Sequence, residues 1–537
     1  MDKRAFLAIA LSILILVVYQ EWVTRYYAPP PKAPEIAKEA PQKEPTTAPA
    51  APAAPVQAKP VVVPVSREAN DIRVETDNYI ALFTTQGARL KSFKFKQYRS
   101  SVEENSPPFE IIEPAPGVPF PLGIRWQAPT PFDDEKLLYS VEGSDINLTG
   151  DSKSKLVFSG RTETGTVVTK TFAFSGSTYP IAFDVSVTAA DGTAPIPELI
   201  LTAKSDHKVK NPDAPFEGFI ALVDNKIKRE PHPEADKALE FVGDISWAGF
   251  GYTYFFFGLL PENGAQHRVS LGHLGPALVA GMSGPEGTSN VARYTLFIGP
   301  KELDILKSVG RGLERSIDFG WFGFISMPFL YVLHFFHGFT GSYGISIILL
   351  TVLIKLLMAP LTHKSFVSMK QMQKLQPQME RLKEKFKNDK EKLNKEVMEL
   401  YRRNGVNPLG GCLPMVLQFP VFIGLYNALG TPIELRHTQF LWIKDLSQPD
   451  WKSLPITVGG WHFGIPVLTI LMGASMFLQQ WMTPSAGDPN QRKMMLMMPL
   501  VFTFMFVSFP AGLTVYWLVN NILTIGQQYW INRMEKK

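Results

Sequence analysis

The chain has 537 residues, a formal net charge of +5 and one cysteine, Cys412. The length allows two or three domains, the small net charge does not indicate a nucleic-acid partner, and a single cysteine excludes an intramolecular disulfide framework. Apolar residues concentrate in the last third of the chain, so we expect that third to lie in a membrane.

The first predicted element is an apolar run over residues 5–23, which follows the basic start MDKR. It is close to the ~20 residues that a helix needs to cross a bilayer. No small-residue cleavage site follows directly, and Trp22, Tyr26 and Tyr27 suit the membrane surface. We interpret residues 1–27 as an uncleaved transmembrane anchor, with a cleaved signal peptide as the alternative.

A linker and a β domain are predicted next. Residues 28–65 are dominated by Pro and Ala, which favours an extended, semi-rigid linker. Within residues 66–310, apolar side chains repeatedly occupy alternate positions, as half-buried strands require. We therefore expect a β-sandwich-like domain. In one segment the alternating residues are Val168, Phe172, Phe174, Ile181, Phe183, Val185 and Val187.

The β domain shows no pattern typical of a catalytic or metal site. Its histidines are scattered without metal-ligand spacing, and we interpret the pair Asp133–Asp134 as solvated loop surface. The chain contains no G-x-x-x-x-G-K-[ST] loop and no H-E-x-x-H motif. We therefore expect neither an enzyme nor a cofactor or metal site, although a carbohydrate-binding cleft in such a sandwich is an open alternative.

Apolar helices are predicted from residue 311 onwards. The aromatic segment 320–339 predicts an amphipathic interfacial helix within the region 311–342, with an additional span as the alternative. Residues 343–537 are predicted to form a bundle of transmembrane helices, which together with the anchor makes about six spans. The predicted spans of the bundle are 343–361, 413–430, 465–482, 495–510 and 511–530.

The loop charges predict the orientation of these spans. Residues 363–412 contain twelve Lys or Arg and six Asp or Glu, and short basic loops remain in the cytoplasm. Counting spans from this loop places both chain termini in the cytoplasm and the β domain on the other side of the membrane.

The basic loop predicts a helical hairpin over residues 364–405, with the turn at Asn388–Asp389, because apolar residues recur every three or four positions on either side. Its apolar stripes either pack only on each other or contact a nascent segment, a ribosome or anionic lipid, since methionine adapts to varied apolar surfaces. The residues expected to make such contacts are Met369, Met372, Met379, Lys383 and Arg402.

One lysine, Lys355, lies near the middle of the span 343–361, with Thr351 one turn earlier on the same face. A lysine at the centre of a span costs about 2.5–3.5 kcal/mol on insertion scales. Ionisable residues at this depth generally face a bundle interior or a wet cavity. We therefore predict that Lys355 lines a hydrated groove, and a lysine that snorkels to the membrane surface is the alternative.

Two stretches of the apolar region resemble the YidC-type family of membrane protein insertases. They are NGVNPLGGCLPMVLQFPVFIGLYNAL (404–429) and FPAGLTVYWLVNNILTIGQQ (509–528), and the intramembrane cation followed by APLT (359–362) is similar to the same family. The anchor, linker and β domain resemble its Gram-negative form, which has a large periplasmic β-supersandwich domain. The resemblance implies a multi-pass protein of the bacterial inner membrane.

The resemblance implies insertion and assisted folding of inner-membrane proteins, alone or with the Sec translocon. Five spans of such proteins enclose a hydrophilic groove that opens to the cytoplasm and to lipid. A client's polar tail enters the groove while its apolar segment moves into the bilayer. The implied partners are nascent membrane proteins, lipid, the Sec translocon and the ribosome. The residues that match this groove are Lys355, Thr351, Gln418, Phe419, Phe422, Tyr516, Trp517 and Asn520.

Two matched positions depart from the family pattern. Lys355 stands where arginine is usual, and Trp517 stands where tyrosine is familiar. Lysine keeps the charge but lacks the bidentate fork of arginine, which puts paired hydrogen bonds to one carboxylate in doubt. A secondary transporter or channel is the main alternative function, and an envelope carbohydrate enzyme is another. The lack of an internal repeat and the number of spans favour the insertase.

Overall fold

The computed structural model describes residues 68–534, apart from several short segments. The predicted anchor (1–27) and linker (28–65) lie outside the described residues. Within the described range, the segments left out are 104, 129, 190–194, 205–216, 231–238, 263–265, 285–290, 407–412, 459–460 and 484–488.

The first part of the described chain is built from β-strands, which confirms the predicted β domain. The strands are β1 (Asp71–Glu75), β2 (Tyr79–Thr84), β3 (Arg89–Arg99), β4 (Pro108–Ile112), β5 (Gly123–Trp126), β6 (Phe132–Asp133), β7 (Ser140–Glu142), β8 (Ile146–Asn147), β9 (Lys153–Arg161), β10 (Val167–Ser175), β11 (Ile181–Thr188), β12 (Glu198–Lys204), β13 (Gly218–Val223), β14 (Lys226–Glu230), β15 (Leu239–Gly243), β16 (Ile245–Gly251), β17 (Phe255–Pro261), β18 (His267–Leu274), β19 (Ala277–Ser283) and β20 (Val291–Pro300).

These strands form three sheets. A nine-stranded sheet has the order β14-β13-β16-β17-β20-β11-β10-β9-β7, a six-stranded sheet has the order β15-β18-β19-β12-β5-β6, and a five-stranded sheet has the order β4-β3-β2-β1-β8. Neighbours such as β10 and β11 are antiparallel, whereas β1 and β8 are parallel. The alternation predicted for the segment 168–187 is confirmed, because its apolar residues lie in the core of the domain. The buried residues include Val168, Phe172, Phe174, Ile181, Phe183, Val185 and Val187.

The interpretation of Asp133–Asp134 as solvated surface is wrong for Asp134. Its side chain is 0% exposed, and its carboxylate lies 2.6 Å from Lys170 Nζ and 2.8 Å from Arg89 Nη2. Lys170 is also buried and donates to two backbone carbonyls at 2.6 and 2.7 Å. Local polarity suggested a loop, but two cations from distant strands allow this carboxylate to lie inside the domain.

Helices follow the β domain, as predicted, and two short strands form a hairpin before one of them. The elements are α1 (Leu303–Val309), α2 (Gly323–Thr340), α3 (Tyr343–Lys374), α4 (Gln376–Lys385), α5 (Lys390–Arg403), α6 (Leu413–Gly430), β21 (Pro455–Val458), β22 (Trp461–Gly464), α7 (Val467–Met482), α8 (Pro489–Phe506) and α9 (Ala511–Met534).

The helix that carries the buried lysine is longer than the predicted span 343–361. α3 continues through Pro360 to Lys374, so the start of the predicted hairpin is part of the same helix. The chain bends at Leu375, and Pro377 lies in the first turn of α4, where proline is tolerated. The turn at Asn388–Asp389 is confirmed, because the Asp389 carboxylate caps α5 by accepting from the Lys392 amide at 3.0 Å.

The β domain and the helices share packed surfaces. Leu303 and Leu306 of α1, Leu330 of α2 and Ile433 after α6 belong to the hydrophobic core of the β domain. In the bundle, α2 packs against α3 and α6, and α9 packs against α3 and α7. These contacts place α1 and α2 between the sheets and the bundle.

By length and composition, α3 is the one described helix that passes as a complete membrane span. Shorter apolar helices cover Val416–Gly430, Val467–Met482 and Met495–Phe506. The described chain thus has a largely β first part and an apolar helical second part, and the total of six spans stays a prediction.

Candidate functional site

The lysine inside α3 has a neutral partner. Lys355 is half-buried, and its Nζ donates to Thr524 Oγ1 on α9 at 2.6 Å. Thr524 Oγ1 in turn donates to the backbone carbonyl of Asn520 at 2.6 Å. No carboxylate of the described residues lies within ion-pair distance of Lys355. A lysine held by a hydroxyl keeps its positive charge uncompensated, so it can attract an anionic group.

Thr524 belongs to a polar stripe on α9 that recurs every three or four residues. On one side of the stripe, Gln527 Nε2 donates to Thr362 Oγ1 on α3 at 3.0 Å. On the other side, Asn521 Nδ2 donates to Ser475 Oγ on α7 at 3.0 Å. Such hydrogen bonds between apolar helices fix their relative rotation, because an unpaired polar group in hydrocarbon is costly. The stripe consists of Asn520, Asn521, Thr524, Gln527 and Gln528.

The structure does not join Thr351 to Lys355. Thr351 is buried, and its hydroxyl donates to the Ile347 carbonyl of its own helix at 2.6 Å. Thr524, which the sequence prediction missed, takes the place expected for Thr351. The signal that could have found Thr524 is its spacing of four residues from Asn520 on the polar stripe.

The two predicted aromatic groove residues on α9, Tyr516 and Trp517, differ in burial. Tyr516 is 1% exposed and accepts a hydrogen bond from Gln418 Nε2 on α6. Trp517 is half-buried, and its ring meets that of Phe422 edge to face at a centroid distance of 5.2 Å. In this conformation Tyr516 and Gln418 join α6 to α9, so Tyr516 presents almost no surface to a partner.

The side of the bundle formed by α6 and α8 exposes apolar side chains. Phe419 on α6 is 60% exposed, and Phe504 on α8 is 84% exposed. Exposed apolar side chains in a membrane-spanning region generally mark contact with lipid or with an apolar partner. We name this surface the apolar face. Its residues are Val416, Phe419, Leu500, Val501 and Phe504.

Few buried side chains stabilise the packing of the hairpin helices α4 and α5 against each other. Met379 is buried, and the Tyr401 hydroxyl contacts its sulfur at 2.9 Å. Met369 and Met372 lie on the part of the predicted hairpin that continues α3, and both are half-buried. Lys383 is half-buried and Arg402 is exposed. One methionine thus packs inside the hairpin, and the others lie nearer the bundle.

Within the part of the chain that the structure describes, no group of three or more His, Cys, Asp or Glu side chains is placed to hold a metal ion. The arrangement at Lys355 offers a positive charge, hydroxyls and amides, which can bind a polar segment of polypeptide.

The fold and this site define a helical membrane protein with a large β domain. A family model described as "60Kd inner membrane protein" matches residues 335–537, and one described as "YidC periplasmic domain" matches residues 71–332. Together the two matches cover most of the described chain.

Relatives are similar over the whole chain. "Membrane protein insertase YidC" of Syntrophus aciditrophicus (strain SB) is 39% identical over 558 residues, which cover 99% of this chain and 100% of the relative. The protein of the same name from Pelobacter propionicus (strain DSM 2379 / NBRC 103807 / OttBd1) is 40% identical over 553 residues, which cover 99% of each. The chain therefore belongs to the YidC family of membrane protein insertases, whose members are inner-membrane proteins with a periplasmic domain in this form.

A solved structure described as "Active YidC insertase crystal structure with the first transmembrane domain resolved" is also similar. It has 17% sequence identity and a TM-score of 0.39, and the match covers 87% of this chain and 94% of that chain.

Proposed function

We propose that this chain inserts membrane proteins by receiving the polar tail of a client beside Lys355 while the client's apolar segment leaves along the apolar face. The single observation that carries this mechanism is Lys355 itself, which is held by Thr524 at 2.6 Å and has no carboxylate partner among the described residues. The relatives named membrane protein insertase support the activity.

The polar groups near Lys355 supply a physical reason for insertion. Each unsatisfied backbone group that enters hydrocarbon loses several kcal/mol, so a polar tail does not cross unaided. The hydroxyls and amides of the α9 stripe replace part of the lost water, and the charge of Lys355 favours acidic tails. Because the client tail then crosses a shorter distance in hydrocarbon, the free-energy barrier to its translocation falls without nucleotide hydrolysis.

The apolar face supplies the other half of the mechanism. Phe419 and Phe504 are exposed on α6 and α8. α8 packs against α7, and its Phe506 ring lies 6.1 Å from the Phe422 ring of α6. An apolar client helix that lies on this face exchanges protein contacts for lipid contacts at little cost, because both are apolar. The client therefore partitions into the bilayer while its tail crosses at Lys355.

The proposed topology has six spans, with the predicted anchor as the first and both termini in the cytoplasm. Its support is the basic loop 363–412 and the apolar character of α3, α6, α7, α8 and α9. The exposed aromatic side chains of α2, such as Phe335 and Phe339, support a position along the membrane surface.

We further propose that the hairpin α4–α5 meets nascent chains, with the ribosome and the Sec translocon as additional partners. Its support is the basic charge of 363–412 and a cavity of about 210 Å³ between the two helices. Leu382 and Leu400 form its apolar lining, and Arg381, Lys385 and Arg403 are its basic groups.

Reconstitution tests the proposed function. The purified full chain in liposomes is expected to insert a short one-span client without Sec proteins, and protection of the translocated tail from added protease measures this. Empty liposomes give the background. A folded, reconstituted chain that yields no protected tail above that background contradicts the proposal and favours a transporter or channel.

A further inference from the structure

Three ionisable side chains meet where α1, α2 and the loop after α6 come together. They are Glu302 at the start of α1, His334 on α2 and Glu434 in the loop. His334 Nε2 lies 3.2 Å from Glu434 Oε1, and His334 Nδ1 lies 4.0 Å from Asp304 Oδ2. The Tyr98 hydroxyl of β3 donates to Glu302 Oε2 at 3.5 Å. The cluster therefore touches the β domain, both connecting helices and the bundle loop.

Glu434 is a buried carboxylate whose only close partner in the described structure is a histidine. Its side chain is 6% exposed, and neither carboxylate oxygen accepts a hydrogen bond from a described residue. The ring N–H of His334 is near enough for an ion pair but is not aligned for a hydrogen bond. A buried carboxylate needs a counter-charge, so this contact is favourable chiefly when the imidazole is protonated.

The surroundings of His334 contain no other cation directed at it among the described residues. Lys307 of α1 donates instead to the Tyr331 hydroxyl, one turn earlier on α2. α6, which also packs against α2, carries no acid, lysine, arginine or histidine along its length. The ionisable groups that face His334 are Glu434 on the loop, Glu302 and Asp304 on α1, and Tyr343 at the start of α3.

The pKa values of His334 and Glu302 are both raised, and both shifts favour the contact between α2 and the loop at lower pH. The Glu434 carboxylate holds the pKa of His334 above its ordinary value, although burial opposes this. Burial raises the pKa of Glu302, and the charge of Glu434 adds to the effect. A histidine with a raised pKa stabilises the closed arrangement, in which the loop after α6 contacts α1 and α2, below about pH 6.5. That contribution is lost as pH rises through the pKa of the histidine. An acid with a raised pKa likewise favours the closed arrangement at lower pH.

We infer that His334 and Glu434 form a proton-sensitive latch that holds the loop after α6 against α1 and α2. At lower pH the imidazolium neutralises Glu434 and faces Glu302, which keeps the outer end of the bundle closed. At higher pH the imidazole is neutral, and the buried Glu434 carboxylate lies near the half-buried Glu302 without a counter-charge. The loop then opens more often.

Amide hydrogen exchange of the full chain in lipid nanodiscs tests the latch without any client, so its failure is separate from a failure of the proposed function. Exchange in α2 and the segment 433–446, corrected for intrinsic rates, is compared from about pH 6 to about pH 9. We expect the ratio of open to closed molecules to rise with pH. The total rise is about tenfold for each unit by which the closed state raises the pKa of His334.

Two variants and one control separate the latch from general packing. His334→Gln and Glu434→Gln are expected to remove the pH-dependent step. His337→Gln, on the same helix with its ring stacked on Tyr343 at 4.0 Å, is expected to keep it. A flat wild-type profile overturns the inference, as does a step that persists in both latch variants. If a latch variant does not fold, the wild-type profile and the other variant decide.

Discussion

At the scale of single residues, Lys355 shows how an apolar helix tolerates a charge. Insertion scales assign about 2.5–3.5 kcal/mol to a central lysine and about −0.3 to −0.6 kcal/mol to each Leu, Ile, Val or Phe, so the neighbours of Lys355 in α3 can compensate. The hydrogen bond to Thr524 at 2.6 Å satisfies one ammonium proton but provides no counter-charge. In the proposed mechanism, the other ammonium protons are available to the polar tail of a client.

Substitution of Lys355 should separate charge from geometry. We expect Lys355→Arg to retain insertion, because the charge is kept, and Lys355→Leu to lower insertion of clients with acidic outer tails by about tenfold, the equivalent of ~1.4 kcal/mol. Protease protection of the client tail in liposomes measures both. Lys364→Leu, at an exposed position of the same helix, is the control. Normal insertion of every client by Lys355→Leu would support a lysine that merely snorkels.

The buried Lys170 is a second residue whose role depends on its partners. Removal of its charge in Lys170→Met leaves Asp134 buried with Arg89 alone, and breaking such a group typically costs about 3–5 kcal/mol. We expect a clear fall in the thermal midpoint of the full chain in detergent. Lys91→Met is the matched control, since its ion pair with Asp71 at 2.6 Å is about one-third exposed on both sides and exposed pairs contribute about 0–1 kcal/mol. Equal effects of the two variants would contradict this account.

At the scale of elements, α7 begins against a side chain from outside the helix. The buried Asp450 accepts from the Leu468 amide at 2.8 Å, from the Thr469 amide at 3.3 Å and from the Thr469 hydroxyl at 2.7 Å. A carboxylate at a helix N-terminus satisfies free amides and the helix dipole. Asp450 therefore fixes the position of α7 relative to the loop before it.

Loss of this cap should destabilise the bundle. Asp450→Ala is expected to lower the free energy of unfolding by about 1–3 kcal/mol, because buried amides lose a charged acceptor. Thermal denaturation of the purified chain measures the change. Asp389→Ala removes the exposed cap of α5 and should affect only the hairpin. A bundle that melts at the wild-type temperature in Asp450→Ala would show that water or a neighbouring group replaces the cap.

The hairpin is the element expected to open most readily. Met379 of α4 is buried against Tyr401 of α5, and no described side chain of α5 is itself fully buried. We expect amides of α4 and α5 to exchange faster than those of α9 in full-length protein, because local opening there exposes little apolar surface. Exchange as slow as in α9 would mean that the hairpin belongs to the rigid bundle.

At the scale of the whole molecule, the β domain and the bundle have separate tasks in the proposed mechanism. The groups near Lys355 and the apolar face all follow residue 340, whereas the three sheets of the β domain end at Pro300. The two parts nevertheless share a core through α1 and α2. Insertion should therefore depend on the bundle, and stability should depend on both parts.

Deletion of residues 70–290 tests this division. We expect the shortened chain to insert clients, because the proposed client contacts remain. We also expect it to accumulate to a lower level, since Leu303, Leu306 and Leu313 lose the core that buries them and each buried leucine is worth about 1.5–3 kcal/mol. Insertion is measured per molecule of reconstituted protein. Complete loss of insertion with the chain stably present in the membrane would contradict the prediction.

The sequence by itself determined the elements with strong periodicity and the family. Alternating residues such as Phe172 and Phe183 predicted buried strand faces, because a strand repeats every two residues. Long apolar runs predicted α3 and α6, since hydrophobic length is a local property. The turn at Asn388–Asp389 and the lysine in α3 were also recognisable without a structure, as were the two stretches that resemble the YidC-type family.

The tertiary structure alone decided which polar groups meet. Lys355 and Thr524 are separated by 169 residues, and Asp134 is buried only because Lys170 and Arg89 arrive from other strands. The contact of His334 with Glu434 likewise joins distant parts of the chain. Periodicity is a local property that shows which face of a segment is apolar and which is polar. A charged group or hydroxyl gains its partner only when distant segments pack together. The role of such a group therefore depends on long-range contacts.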